Sequence, residues 1–279
     1  MTRSAVVIGG TALSALALVG IGAASARQQA DSITIATVLT AAQEVPAPKG
    51  DVGGARGTFT AKVTKSDTGG VVAWTLTFAG LSGPAAAAHI HSAPAGQSGP
   101  VIVPLCGPCE SPASGTANVS AATLATLQSG DAYANVHTPT NGAGEIRGQL
   151  RVTAAIATAL TARQEVPRPK GNANRARGAF TAIVTKSGTE TRLGWRLSFS
   201  RLTGRAVAAH IHLGRRGRSG PVAVTLCGPC RSGVRKSVSL QPAVVAALEA
   251  GNAYVNVHTA RNPAGEIRGQ IAAVPLALS

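Results

Sequence analysis

The chain is poor in aromatic residues and in acid. Two Trp, two Tyr and four Phe make up only 3% of its 279 residues. Few flat side chains are therefore present for bases to stack on, which disfavours nucleic acid as a partner. Asp and Glu number 11 against 26 Lys and Arg, leaving a formal net charge of +15. No nucleophile–base constellation stands out, so a hydrolase of that kind has no support. After the N-terminal region there is no second apolar run long enough to span a membrane. Cysteine is limited to four residues. None follows the N-terminal apolar run directly, which argues against a lipoprotein.

What is present is strictly repeated. All six histidines fall into two constellations, His89-Ile90-His91 with His137 and His210-Ile211-His212 with His258, at a constant offset of 121 residues. The offset holds well beyond them. Gln43-Glu44-Val45-Pro46 returns as Gln164-Glu165-Val166-Pro167, Trp74 as Trp195, and Gly144-Glu145-Ile146-Arg147-Gly148-Gln149 as Gly265-Glu266-Ile267-Arg268-Gly269-Gln270. Such a period is too long for a solenoid unit and matches one independently folding domain, so the chain reads as a tandem duplication. The copies are expected at 33–152 and 154–273. Arg151 to Thr153 leads almost at once into the next first strand, leaving no flexible linker and predicting a fixed mutual orientation.

Ahead of the first copy, Met1-Thr2-Arg3, an apolar run from Ser4 to about Ala24 and the triplet Ala24-Ser25-Ala26 have the three parts of a secretory signal peptide. It is expected over 1–26. Read as uncleaved, the same run is the only membrane attachment expected. A secreted or periplasmic, extracytoplasmic location follows. There the cysteines should be oxidised. Each copy holds one Cys-Gly-Pro-Cys, Cys106 with Cys109 and Cys227 with Cys230. The βαβ context of a thioredoxin motif is missing, so a local disulfide is favoured over a redox or metal-ligating role.

Periodicity is that of strands. Phe59, Ala61 and Val63 alternate with threonines and Lys62, and Val72, Trp74, Leu76 and Phe78 alternate with Ala73, Thr75 and Thr77. Asp67-Thr68-Gly69-Gly70 between them marks a hairpin. Further strands are predicted near 33–40, 86–91, 100–105, 114–119, 131–138 and 144–152. One helix is predicted from Ser120 as N-cap to Gly130. The expected fold class is all-β: two tandem antiparallel β-sandwich or barrel domains, Ig-like or superoxide dismutase-like, each with one short helix.

Strand alternation places His89 and His91 on the face opposite Ala88 and Ile90, and His137 with Asn135 and Tyr133 opposite Val136 and Ala134. The histidines are thus expected to face outward. Two imidazoles at i and i+2 with a third from a neighbouring strand form a candidate copper or zinc set, His89, His91 and His137, repeated as His210, His212 and His258. The competing reading is a polar network holding the loop from Ser92 to Gly99. Glu145 and Arg147, two apart on one strand, are expected to pair across their face.

The charge is uneven. From Arg27 to Val152 seven basic and seven acidic residues cancel, whereas from Thr153 to Ser279 eighteen Lys and Arg face four Asp and Glu. The register places extra arginines at turn or outward positions: Arg196, Arg215, Arg216, Arg218 and Arg231. Arg215, Arg216, Arg218 and Arg231 are the candidate anion-binding residues. The candidate partner is an anionic envelope polymer, glycan or lipid headgroup, and the alternative is a basic face serving solubility.

Ala88-His89-Ile90-His91, Gly99-Pro100, Ala132 to Thr138, Gly144 to Gln149 and the opening Ala42-Gln43-Glu44-Val45-Pro46 together resemble the CHRD domain, named after chordin. The resemblance covers both copies nearly end to end. It implies β-sandwich domains of secreted proteins whose bacterial members mostly lack an assigned activity. The growth-factor role of chordin does not carry over, because that protein's cysteine-rich modules are missing. A weaker resemblance is to copper/zinc superoxide dismutases, through the His-x-His pair, a late histidine and an arginine, here Arg147 or Arg268, in the anion-guiding role. No residue matches the bridging histidine or the zinc ligands, so the resemblance implies at most a mononuclear copper site. Two functions are therefore expected in turn. The first is a non-enzymatic extracytoplasmic binding module with a basic second domain. The alternative is a three-histidine copper or zinc domain with dismutase-like activity.

Overall fold

The computed structural model describes residues 31–278, and the expected signal segment lies outside them. The first copy contains β1 (Ser32–Thr40), β2 (Arg56–Ser66), β3 (Gly69–Ala79), β4 (Ala87–Ser92), β5 (Val101–Cys106), β6 (Ala113–Ser120), α1 (Ala121–Ser129), β7 (Ala132–His137) and β8 (Ile146–Gln149). The second repeats them as β9 (Arg151–Thr161), β10 (Arg177–Ser187), β11 (Glu190–Ser200), β12 (Ala206–Leu213), β13 (Val222–Cys227), β14 (Val234–Ser239), α2 (Pro242–Glu249), β15 (Ala253–Thr259) and β16 (Ile267–Ile271). All pairings are antiparallel.

Each copy is a sandwich of two four-stranded layers, β1-β2-β3-β6 against β5-β4-β7-β8 and, in the repeat, β9-β10-β11-β14 against β13-β12-β15-β16, joined at one edge through Thr40 with Arg147 and Thr161 with Arg268. Alternation drives this. In β2 the residues Phe59, Ala61 and Val63 are buried while Thr60 and Lys62 between them are exposed, so one face of the strand enters the core. α1 is capped as its sequence demands. The Ser120 hydroxyl accepts from the Thr123 amide at 3.2 Å, and Gly130 closes the end in the left-handed region with φ 85°.

The strand predicted over 144–152 is two strands. β8 ends at Gln149, Leu150 turns its side chain into the core, and Arg151 already belongs to β9. β9 pairs with β10 along its length and also with β1, through Thr34 with Thr153, Ile35 with Val152 and Ala36 with Arg151. The first sheets of the two copies are thereby joined edge to edge. Directly opposed residues share a face, and Ile35 and Val152 are both buried. Both second sheets, with their histidines, therefore cover the same side of the joined sheet.

The seam continues elsewhere. Buried apolar residues of the two copies form one connected cluster. The segment after β16 buries Val274 and Leu276, and its Leu278 amide donates to Gln128 of α1 at 2.9 Å. Among the described residues no helix is long and apolar enough to cross a membrane.

Candidate metal centre

The outer face of the second sheet carries the site. Register aligns His91 with Tyr133 and Gln149 across β4, β7 and β8, and His89 with Asn135 and Arg147 in the next row. In the repeat the rows are His212, Tyr254, Gln270 and His210, Asn256, Arg268. These side chains point away from the apolar core, as alternation requires, but solvent does not cover them. His91, His137, Asn135, Tyr133, Arg147 and Gln149 are all buried, and only His89 is partly open. The histidines face away from the core as expected, and what strand alternation does not tell is that they are covered. A loop closes over them.

That loop is tied down from below. Gln149 Nε2 donates to Ala93 O at 2.9 Å, Arg147 donates to Pro94 O at 3.2 Å, and His91 Nδ1 bonds Gly99 O at 2.9 Å. Gly99 in turn donates its amide to the Tyr133 hydroxyl at 3.3 Å. A side chain at Gly99 would collide with the Ser92 carbonyl, and one at Gly220 with that of Leu213. Glycine is the residue that lets this loop lie so close. The polar network over Ser92 to Gly99 is thus formed, and it occupies only one nitrogen of His91.

A carbonyl can only accept, so His91 carries its proton on Nδ1 and leaves the Nε2 lone pair free. That Nε2 is buried without a hydrogen-bond partner, as is Nε2 of His212. His137 is oriented in the same way. Its Nδ1 bonds Gly142 O at 3.0 Å, and its Nε2 lies 3.0 Å from His89 Nδ1. In the repeat, His212 bonds Gly220 O, His258 bonds Pro263 O at 2.9 Å, and His210 Nδ1 lies 3.0 Å from His258 Nε2. Within each copy one ligand nitrogen from each of the three rings lies within 4.8 Å of the other two.

Burial disfavours the charged form of His89, His91, His137, His210 and His258. Burial, then repulsion from His137 and His91, lowers the pKa of His89, and burial, then repulsion from His258 and His212, pushes His210 down to about 4. Burial is also the main cause of the lowered values of His91, His137 and His258. Orphaned lone pairs, carbonyls fixing the opposite nitrogens and suppressed protonation all suit the two triads to one transition-metal ion each. The cysteines are not available as thiolate ligands. The structure pairs Cys106 with Cys109 and Cys227 with Cys230, each with Cα atoms 5.3 Å apart.

Arg147 does not open on the triad. Strand order puts β4 on one flank of β7 and β8 on the other, so Tyr133 stands between His91 and Arg147. The guanidinium carbon lies 3.4 Å from the Tyr133 ring centre, and Arg268 repeats this over Tyr254. The expected pairing of Glu145 with Arg147 is not formed. Glu145 lies just before β8, where the turn at Ser82 and the 138–141 turn reach it. Its carboxylate accepts from the Ser82 amide at 2.6 Å, Thr138 at 2.7 Å and Asn141 at 3.0 Å.

Of the candidate anion-binding arginines, Arg215, Arg216 and Arg218 are exposed on the loop between β12 and β13. Arg231 follows the far end of β13 and is separated from them by that strand. The structure instead sets Arg216 beside Arg163, Arg168 and Arg268. Arg163 and Arg168 replace Ala42 and Ala47, a difference legible in the register but not connected to Arg216 without the fold.

The fold and site define a class: tandem all-β sandwiches, each with a covered three-imidazole centre on the outer face of one sheet. The model of the CHRD domain matches residues 35–150 and 156–271, and the chain belongs to the CHRD domain family. No curated protein and no solved structure matches the chain.

Proposed function

We propose that this protein is an extracytoplasmic tandem module that binds one copper ion per CHRD domain, through His89, His91 and His137 in the first and His210, His212 and His258 in the second. The observation that carries this reading is the buried, partnerless Nε2 of His91 and of His212, in triads that bring one ligand nitrogen from each ring within 4.8 Å of the others. A buried polar atom left without a partner costs about 1–3 kcal/mol, and a metal ion removes that cost. Copper is favoured over zinc at an all-imidazole site by the general order of divalent affinities. Bound copper supplies one-electron redox chemistry. The protein's own contribution is to hold two of the rings by carbonyls and to cover them with the loop ending at Gly99. The disulfide in each copy fits an oxidising compartment.

A dismutase role draws less support from the site. Arg147 and Arg268, the residues resembling a superoxide-guiding arginine, are each 1% exposed and stacked on tyrosine.

Metal analysis of the purified chain after exposure to copper and then to zinc, with unbound metal removed, tests the proposal. Two equivalents of copper per chain are expected, one in His91→Ala, one in His212→Ala and none in the double variant. Less than a tenth of an equivalent in the folded wild-type chain would overturn it.

A further inference from the structure

The second domain contains a cleft of about 300 Å³ between the turn that follows β9 and the loop between β12 and β13. Arg163, Arg168 and Arg216 line it, with Arg268 and the buried Glu165 at its wall. Arg163, Arg168 and Arg216 are exposed, and among the described residues none makes a hydrogen bond or ion pair. Arg216 bears electrostatically on Arg268. Like charges are thus gathered around a single acid, the buried Glu165.

The walls are held in place. Arg268 donates to Arg218 O at 2.8 Å and to Arg215 O at 3.0 Å, which pins the loop on both sides of Arg216. Across the cleft, Gln164 Nε2 donates to Ala159 O at 3.0 Å and its Oε1 accepts from the Gln270 amide at 3.3 Å. The backbone is held on both walls by the buried Arg268 and by Gln164, and the guanidinium groups of Arg163, Arg168 and Arg216 are left free to take a ligand. In the first domain the positions of Arg163, Arg168 and Arg216 are held by Ala42, Ala47 and Ala95. The cleft's charge therefore belongs to one copy only.

From this we infer that the cleft is a binding site for a tetrahedral oxyanion, the phosphate or sulfate group of a small ester. Guanidinium forks match two oxygens of such a group at a time, and several forks around one group match its spread of charge better than a single carboxylate does. The volume lies at the lower end for small-molecule sites and exceeds what a bare halide needs. The single acid in the lining does not oppose this. Glu165 is 2% exposed, its Oε1 accepts from its own neighbour Val166, and burial raises its pKa to about 7. Tyr254 stands between Arg268 and His212, so the cleft is distinct from the histidine triad and the inference is independent of the metal reading.

Calorimetric titration of the purified chain with inorganic phosphate, inorganic sulfate and a sugar phosphate monoester, at constant ionic strength set by sodium chloride, tests the site. One saturable equivalent per chain is expected for the ester and for at least one of the two inorganic ions. Which of those binds tells phosphate from sulfate. Arg163→Gln/Arg216→Gln should weaken binding at least tenfold. Arg196→Gln/Arg235→Gln, which removes the same charge from β11 and β14, should change it less than twofold. Ala42→Arg/Ala47→Arg/Ala95→Arg should raise the stoichiometry to two. Equal losses in the two arginine double variants would reduce the effect to general charge attraction and overturn the inference. So would the absence of saturable binding, or binding that survives Arg163→Gln/Arg216→Gln and disappears in His212→Ala.

Discussion

The imidazole of His91 and the ring of Tyr133 lie parallel, with centroids 4.9 Å apart and planes 8° from each other. His212 and Tyr254 repeat the arrangement at 4.9 Å and 11°. The tyrosine hydroxyl and the histidine Nδ1 both reach Gly99, one taking its amide and the other its carbonyl. One residue of the covering loop therefore sets the ring orientation of His91.

Gly99→Ala tests that dependence. The added methyl group meets the Ser92 carbonyl, so the loop must move and both bonds at Gly99 weaken. The expected result is a loss on the order of 2–3 kcal/mol of stability and of one of the two copper equivalents. Gly83→Ala, where an added carbon meets nothing within 4 Å, should leave both unchanged. Thermal denaturation with metal analysis reads the pair of variants. Full copper retention in Gly99→Ala would show that the loop does not position His91.

The seam between the copies predicts joint unfolding. Leu276 is 1% exposed, and its segment reaches α1 of the first copy. Leu276→Ala removes buried methyl groups and leaves a cavity, a loss of about 2–5 kcal/mol. Calorimetry should show one transition for the whole chain, displaced downward by about 2–4 °C for each kcal/mol lost. Two separate transitions, one of them unmoved, would mean that β1, β9 and this segment do not couple the copies.

The all-β class and the duplication were legible because both leave short-range marks: alternation along Phe59, Ala61 and Val63, and a constant offset between the histidine sets. Strand parity also put His89, His91 and His137 on one face. A polar network holding the loop from Ser92 to Gly99 over that face was one of the two readings, but the residues that anchor the loop were not legible. The loop from Ala93 to Gly99 is pinned by Gln149 and Arg147, more than fifty residues away, and no local pattern announces it. The partners of Glu145 were missed for a related reason, since Ser82 reaches it only through the packing of two turns. Arg163 and Arg216 likewise meet only after β9, β16, β15 and β12 are laid side by side.

Glu145 and Glu266 should make the protein acid-sensitive. Burial alone would raise both pKa values. In Glu145 the bonds from Ser82, Thr138 and Asn141 outweigh it, and in Glu266 those from Thr259, Thr203 and Asn262 do, so both are lowered. A depressed carboxylate contributes stability that is fully present above its unfolded pKa and is lost as pH falls through the folded value. Glu266→Gln forfeits charged bonds, including that from the Thr203 amide at 2.6 Å, and should cost on the order of 2–4 kcal/mol at pH 7. The gap from wild type should close below pH 4. Denaturant melts across this range check it, and a gap independent of pH would assign the loss to packing.

Glu165 predicts the opposite slope at neutral pH. Its carboxyl is held among Arg268, Arg163, Arg168 and Arg216, yet burial outweighs the amide of Val166 and the charge of Arg268 and raises its pKa from 4.5 to about 7. A raised pKa means that the folded state holds the proton more tightly than the unfolded chain. The stabilisation is therefore complete below pH 4.5 and is lost as pH rises through about 7. Glu165→Gln stays neutral throughout and can keep the acceptor for the Val166 amide at 3.1 Å. It should match wild type near pH 4 and exceed it at pH 8.5 by on the order of a few kcal/mol. Melting temperatures taken at both pH values decide the matter. A variant less stable than wild type at pH 8.5 would show that the ionised carboxylate is held by the surrounding arginines instead of disfavoured by burial.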